Sequence, residues 1–126
     1  MKGDTLAENN GQNIFKVSED TGTENSIITG NITARGVNSR NDIEFYLTQV
    51  TGTITATNQA TNDLKLFGGG VNGKILATDR GSNDITLGKA DKQTNITGSI
   101  ESEQNGSNTI ALENAVITQG LSLIHI

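Results

Sequence analysis

Three aspartates recur at a fixed interval: Asp42, Asp63 and Asp84, each directly after an asparagine (Asn41, Asn62, Asn83). The series closes at Asn108-Thr109, where threonine takes the place of the acid. Carboxylates on neighbouring strands repel unless a cation or solvent screens them, so calcium is the first chemistry to weigh. The chain lacks the G-G-x-G-x-D nonapeptide of calcium-binding β-rolls, and Gly68-Gly69-Gly70 does not open one. The expectation is a solvated acidic stripe with neither metal nor cofactor, because charges on a strand face ordinarily face water. The asparagine column beside it is expected to be an internal ladder of stacked amides rather than a recognition surface.

Catalysis makes stricter demands. Polysaccharide lyases and hydrolases need Asp, Arg, Lys or His converging on one cleft. Here the acids are spread one per repeat or sit in Glu19-Asp20, while Arg35, Arg40 and Arg80 fall in turns with no carboxylate or lysine repeating beside them. His125 is the only histidine and lies at the very end of the chain, so no Ser-His-Asp set is expected. No catalytic residue is assigned. Thr29, Thr51 and Thr97 with Thr33, Thr53 and Thr55 sketch a Thr-x-Thr ladder of the kind that suits ice binding, but Lys74, Leu76 and Glu101 interrupt it. Three N-glycosylation sequons occur: Asn31-Ile32-Thr33, Asn95-Ile96-Thr97 and Asn105-Gly106-Ser107. The first two overlap expected strands. The third lies in a loop and, with Glu103, resembles the extended acidic sequon of bacterial N-glycosylation.

The elements that position these residues are set by a repeat. One motif appears as Ile28-Thr29-Gly30-Asn31-Ile32, Val50-Thr51-Gly52-Thr53-Ile54, Val71-Asn72-Gly73-Lys74-Ile75 and Ile96-Thr97-Gly98-Ser99-Ile100, with a fifth start at Ile117-Thr118. A second runs between the copies: Asn41–Phe45, Asn62–Leu66, Asn83–Leu87 and Asn108–Leu112, with a weak earlier copy at Asn13–Val17. Apolar and polar residues alternate within each motif, which is the period of a strand with one buried face. Polar stretches such as Thr57–Thr61 and Thr78–Ser82 supply turn residues. Residues 88–95 carry four extra positions, after which the phase resumes, so they form a bulging loop.

Two strands in about 21–22 residues, with no helix, predict an all-β, right-handed parallel β-helix (β-solenoid). Each residue then stacks on its counterpart one coil earlier. Ile28, Val50, Val71 and Ile96 form one inward column, and Ile43, Leu64, Ile85 and Ile110 another. The glycines Gly30, Gly52, Gly73 and Gly98 are expected to face the same narrow core. Residues 1–25 read as an irregular N-terminal segment with a partial first coil, and residues 26–120 as the repeats.

Composition agrees with this reading. Of 126 residues only 33% are hydrophobic and four are aromatic (Phe15, Phe45, Tyr46, Phe67), too few for a conventional two-layer core. Asn and Thr make up 32 residues, and both disfavour helix interiors. A net charge of −5 without a basic cluster excludes nucleic acid as a partner. No apolar run is long enough to insert in a membrane. Zero Cys excludes a disulfide scaffold and thiol chemistry.

The I-T-G-x-I and N-D-I-x-L alternation, rich in Asn, Thr and Gly and free of Cys and Pro, resembles passenger domains of repetitive bacterial autotransporters. The nearest likeness is to adhesin-like or vacuolating-toxin-like passengers of epsilonproteobacteria, over residues 26–120. That resemblance implies secretion to the cell surface and anchoring through an outer-membrane barrel outside this sequence. It implies a non-enzymatic adhesin or stalk whose partners are a host-cell surface protein or glycan and the neighbouring coils of a longer chain. A β-helical polysaccharide-degrading enzyme fragment is the alternative. Specificity is expected in residues 18–27 and 88–95, where the repeat is least regular. Leu121–Ile126 resembles a translated sequencing adapter and is expected to be a tail outside the repeat, leaving a piece of a longer frame.

Overall fold

The computed structural model describes residues 2–17 and 26–118, and the backbone of 121–123. The strands in chain order are β1 (Thr5–Glu8), β2 (Gln12–Val17), β3 (Ser26–Thr29), β4 (Ile32–Arg35), β5 (Arg40–Thr51), β6 (Ile54–Thr57) and β7 (Thr61–Asn72). They continue as β8 (Ile75–Ala77), β9 (Ser82–Leu87), β10 (Thr94–Ile96), β11 (Ile100–Ser102), β12 (Ser107–Leu112), β13 (Ala115–Ile117) and β14 (Leu121–Leu123). All pairing between these strands is parallel. One sheet has six strands in the order β1-β4-β6-β8-β11-β14, and the other eight strands form a second sheet. The chain is an all-β parallel solenoid.

Register follows the repeat. Ile28 pairs with Val50, Val50 with Val71, and Val71 with Ile96. Ile43 pairs with Leu64, Leu64 with Ile85, and Ile85 with Ile110. The weak copy belongs to the same column, since Phe15 pairs with Ile43. Ile96 pairs with Ile117. The backbone of Leu121–Leu123, expected to lie outside the repeat, pairs in parallel with Ile100–Ser102 and so keeps the 21-residue phase. Ile124, His125 and Ile126 lie outside the described residues.

The core is a stack of identical layers. Ile32, Ile54, Ile75 and Ile100 from the six-stranded sheet meet Ile43, Leu64 and Ile85, together with Val50, Val71 and Ile96, in one buried cluster. Phe45 is the one large aromatic fully inside, edge-on to Phe15 at 6.2 Å between ring centroids. Ala34, Ala56 and Ala60 form a second, smaller cluster. Small residues there let the walls approach closely. Each buried Ile or Leu contributes about 1.5–3 kcal/mol, so a few per coil hold a chain with little apolar content.

The coils containing β5–β6 and β7–β8 each have two strands, one of 12 residues and one of 3 or 4. The break between them differs from the expected one. Period two made the repeated glycine an inward core position; it is instead a corner. Gly30, Gly52 and Gly73 have φ of +137°, +143° and +147°, and the chain turns there from one sheet into the other. A Cβ on Gly52 would lie 2.0 Å from the Gly30 carbonyl oxygen, and one on Gly73 2.0 Å from that of Gly52. Backbone of the neighbouring coil fills the place of a side chain, so only glycine fits. Two copies of the second motif, by contrast, run into the next first motif without a loop. β5 and β7 pass through that junction by bending at Leu47 (φ +50°) and at Gly68–Gly69.

The opposite turns are two-residue reversals with both central residues left-handed. Asn58-Gln59, Asp79-Arg80 and Gln104-Asn105 have φ between +50° and +70°. Each is closed by a hydrogen bond between its flanking residues, as from Gly81 N–H to Thr78 O at 2.9 Å.

Gly52→Ala is expected to destabilise the fold in urea titration by at least about 2 kcal/mol, through strain and the coil-to-coil clash. Gly36→Ala should cost less, because its φ is also positive (+100°) but its Cβ would meet only Ser39 Oγ at 3.8 Å. Equal losses would contradict the close approach of the coils.

Candidate functional site

The asparagine column is internal. Asn41, Asn62 and Asn83 are 0%, 0% and 1% exposed. Each Nδ2 donates to the Oδ1 of the next asparagine: Asn13 to Asn41 at 2.8 Å, then Asn41 to Asn62, Asn62 to Asn83 and Asn83 to Asn108 at 2.7 Å each. The second amide hydrogen crosses the interior. Asn13 reaches the Thr33 carbonyl at 2.9 Å, Asn41 that of Thr55 at 3.0 Å, Asn62 that of Leu76 at 3.2 Å and Asn83 that of Glu101 at 3.2 Å. The ladder therefore bonds coil to coil and sheet to sheet, and its amides are turned away from any ligand.

Asp42, Asp63 and Asp84 stack in register on the outer face of the same strands. Arg40 Nη2 donates to Asp63 Oδ2 at 2.6 Å, and Arg35 pairs instead with Glu8 at 2.9 Å. Arg80 lies exposed in its turn. Among the described residues no three His, Cys, Asp or Glu side chains gather as a metal site would require. The threonine ladder breaks as its sequence implies, the outward column reading Thr33, Thr55, Leu76, Glu101.

Of the two irregular segments, residues 18–25 lie outside the described residues, and Ser26 and Ile27 begin β3. The insertion at 88–95 is a tight reversal. Lys89 and Lys92 exchange backbone hydrogen bonds at 3.0 and 2.9 Å. Thr94 fastens it to the preceding coil: its Oγ1 donates to Leu66 O at 2.7 Å and accepts from Gly68 N–H at 3.0 Å. The fold-back sets Lys89 Nζ over two rings, 5.1 Å from the Tyr46 centroid and 5.8 Å from that of Phe67. Tyr46 and Phe67 are themselves paired in register, with centroids 5.1 Å apart. A cation at this distance from an aromatic face is stabilised by about 0.5–1 kcal/mol at an exposed site. This corner unites half-buried aromatics, a cation and an irregular loop. Its sequence signal was the 21-residue spacing of the two aromatics, which places them in one column just outside the second motif.

A second concavity also arises from a break in spacing. The turn after β4 has one residue more than its counterparts, Val37, which is 53% exposed. Beside it lies an open groove of about 330 Å³ lined by Gln12, Asn38, Ser39, Arg40 and Thr61. Ser39 Oγ and Arg40 Nε are buried at its edge without a hydrogen-bond partner among the described residues.

Salt links run along the outer wall. The Glu101 carboxylate accepts from Ser99 Oγ at 2.6 Å and lies 3.2 Å from Lys74 Nζ. The Ser99 hydrogen bond above all holds its pKa below the ordinary 4.5; burial opposes it, and the Lys74 ammonium adds to the lowering. Asp91 is likewise held low, chiefly by the charge of Lys92.

Comparison with known proteins returns no matching family model, no matching curated protein and no matching solved structure.

A carboxylate with a lowered folded-state pKa stabilises the fold above its unfolded value, and that stability is lost as pH falls through the folded value. Glu101 should therefore titrate by NMR with a midpoint below 4.5, and Ser99→Ala should raise that midpoint. A midpoint at or above the ordinary value would contradict the Ser99–Glu101–Lys74 arrangement.

Proposed function

We propose that this chain is a non-enzymatic segment of a secreted or cell-surface autotransporter passenger, a stalk that carries an adhesive corner. The observation that carries the reading is the meeting of Tyr46, Phe67 and Lys89 on an otherwise periodic wall. Sugar rings pack their apolar faces on aromatic side chains, and a lysine beside them favours an anionic group, so the ligand class is an acidic glycan on a host cell. The ladder and the repeated core supply a stiff support whose length grows by one strand spacing per coil. On this reading the wall faces the exterior, held to the outer membrane by a barrel elsewhere in a longer chain. No helix among the described residues is long and apolar enough to cross a membrane.

One observation favours a second reading, a polysaccharide-degrading β-helix: Asp42, Asp63 and Asp84 share an outer column with Arg40 beside them. Against it, Arg40 is bound to Asp63, and acids related by a simple stack differ little in their surroundings. General acid and base roles need environments that push two pKa values apart.

Glycan-array and cell-binding measurements separate the two. Phe67→Ala and Lys89→Ala are each expected to weaken binding to acidic glycans at least about tenfold, which is about 1.4 kcal/mol. Asp42→Asn and Asp84→Asn should leave binding unchanged. Cleavage of a polysaccharide by the folded chain, lost on either Asp substitution, would overturn the proposal.

A further inference from the structure

The three sequons have the same local formula but unlike surroundings. Asn31 is exposed, yet its Oδ1 accepts the Thr53 N–H at 3.0 Å, and the central Ile32 is a core residue at 1% exposure. Asn95 lies in the middle of a sheet, paired with Gly70 on one side and Val116 on the other. Its central residue, Ile96, is fully buried, and the Thr97 hydroxyl donates to Val71 O at 3.2 Å and to Asn72 Oδ1 at 3.3 Å. Presenting either segment to an enzyme requires pulling an isoleucine out of the core.

Asn105 itself sits in a turn, just before Ser107 opens β12. It occupies the second left-handed position of the reversal Glu103–Gly106 (φ +65°), closed by Gly106 N–H to Glu103 O at 2.9 Å. It is exposed, and among the described residues its side-chain amide makes no hydrogen bond. Its central residue is glycine, so no apolar side chain has to move. Ser107 is exposed too, its hydroxyl without a partner among the described residues. Glu103 stands two positions before the asparagine, opens the same turn and is partly exposed.

We propose that Asn105 is the acceptor of an N-linked glycan on the folded chain. An amide nitrogen is a weak nucleophile because its lone pair is delocalised into the carbonyl. Transfer therefore demands a side chain free to twist in the transferase and a hydroxyl two residues on for the enzyme to hold. Asn105 Nδ2 attacks the anomeric carbon of a lipid-diphosphate-linked oligosaccharide. The C–N bond forms as the bond from that carbon to the diphosphate oxygen breaks. The lipid diphosphate leaves with the electron pair, and the amide proton passes to a base of the transferase. No oxidant or reductant is involved. The glycan emerges from the turn column between β11 and β12, a different corner from the one that bears Lys89, so it leaves that corner open. In the cell the modification rests on the proposed export; acceptor competence itself does not.

The test incubates the purified folded chain with a bacterial oligosaccharyltransferase and a lipid-linked oligosaccharide, followed by intact-mass and peptide mapping. The expected result is one glycan per chain, on Asn105. Asn105→Gln and Ser107→Ala should each abolish it, while Asn31→Gln and Asn95→Gln leave occupancy unchanged. An unmodified native chain, a glycan on Asn31 or Asn95 of the folded protein, or full occupancy in Asn105→Gln overturns the proposal. The reaction needs no export, so its failure leaves the stalk reading untouched, and loss of glycan binding leaves this one untouched.

Discussion

Within the solenoid, the asparagine ladder ties every coil to the next and also ties one wall to the other. Each amide from Asn13 to Asn83 gives one hydrogen to the next asparagine and the other to a backbone carbonyl on the facing sheet. A slip of one residue at Asn41, Asn62 or Asn83 would carry an asparagine to the outer face and bring a charged or hydroxyl side chain inward. A buried amide stripped of its partners costs about 1–3 kcal/mol. Apolar columns of Ile, Leu and Val tolerate small shifts, whereas an amide ladder does not. Register is thus specified by polar side chains and stability largely by the apolar ones.

Given that register, departures from 21 residues have to leave the stack rather than deform it. The single extra residue at Val37 opens the groove beside Ser39 and Arg40. The four extra residues around Lys89 fold back on the corner already made by Tyr46 and Phe67. The wall itself continues unaltered, since Asn83 still meets Asn108 across the longer interval of 25. Insertions are thus accommodated on a fixed support without re-registering the core.

The columns of the core were legible because identical phase over four copies admits few other architectures. The weak copy at Asn13–Val17 was legible for the same reason, although its spacing to Asn41 is 28. The glycine column was misplaced because Gly30 between Ile28 and Ile32 satisfies period two as well as any inward residue. Nothing in a sequence distinguishes a glycine that lines a core from one whose Cβ space is taken by the next coil's carbonyl. The two-residue turns were legible as polar stretches, but residues such as Gln59 and Arg80 give no hint of left-handed backbone. The Tyr46–Phe67–Lys89 corner escaped because periodicity says which residues share a column, not where an insertion will fold. The asparagine ladder, the register of the acidic column and the interrupted threonine ladder were all readable, because each depends only on which residue stands at each repeat position.

The central claim is that the asparagines form one continuous internal ladder, and side-chain amide NMR tests it most directly. With the chain uniformly labelled, the Nδ2 hydrogens of Asn41, Asn62 and Asn83 should exchange slowly with solvent and show cross-peaks in the order 41–62–83. Asn58 and Asn105, exposed in turns, should exchange at once. Rapid exchange at Asn62, or cross-peaks joining it to residues of an antiparallel neighbour instead of Asn41 and Asn83, would contradict the account.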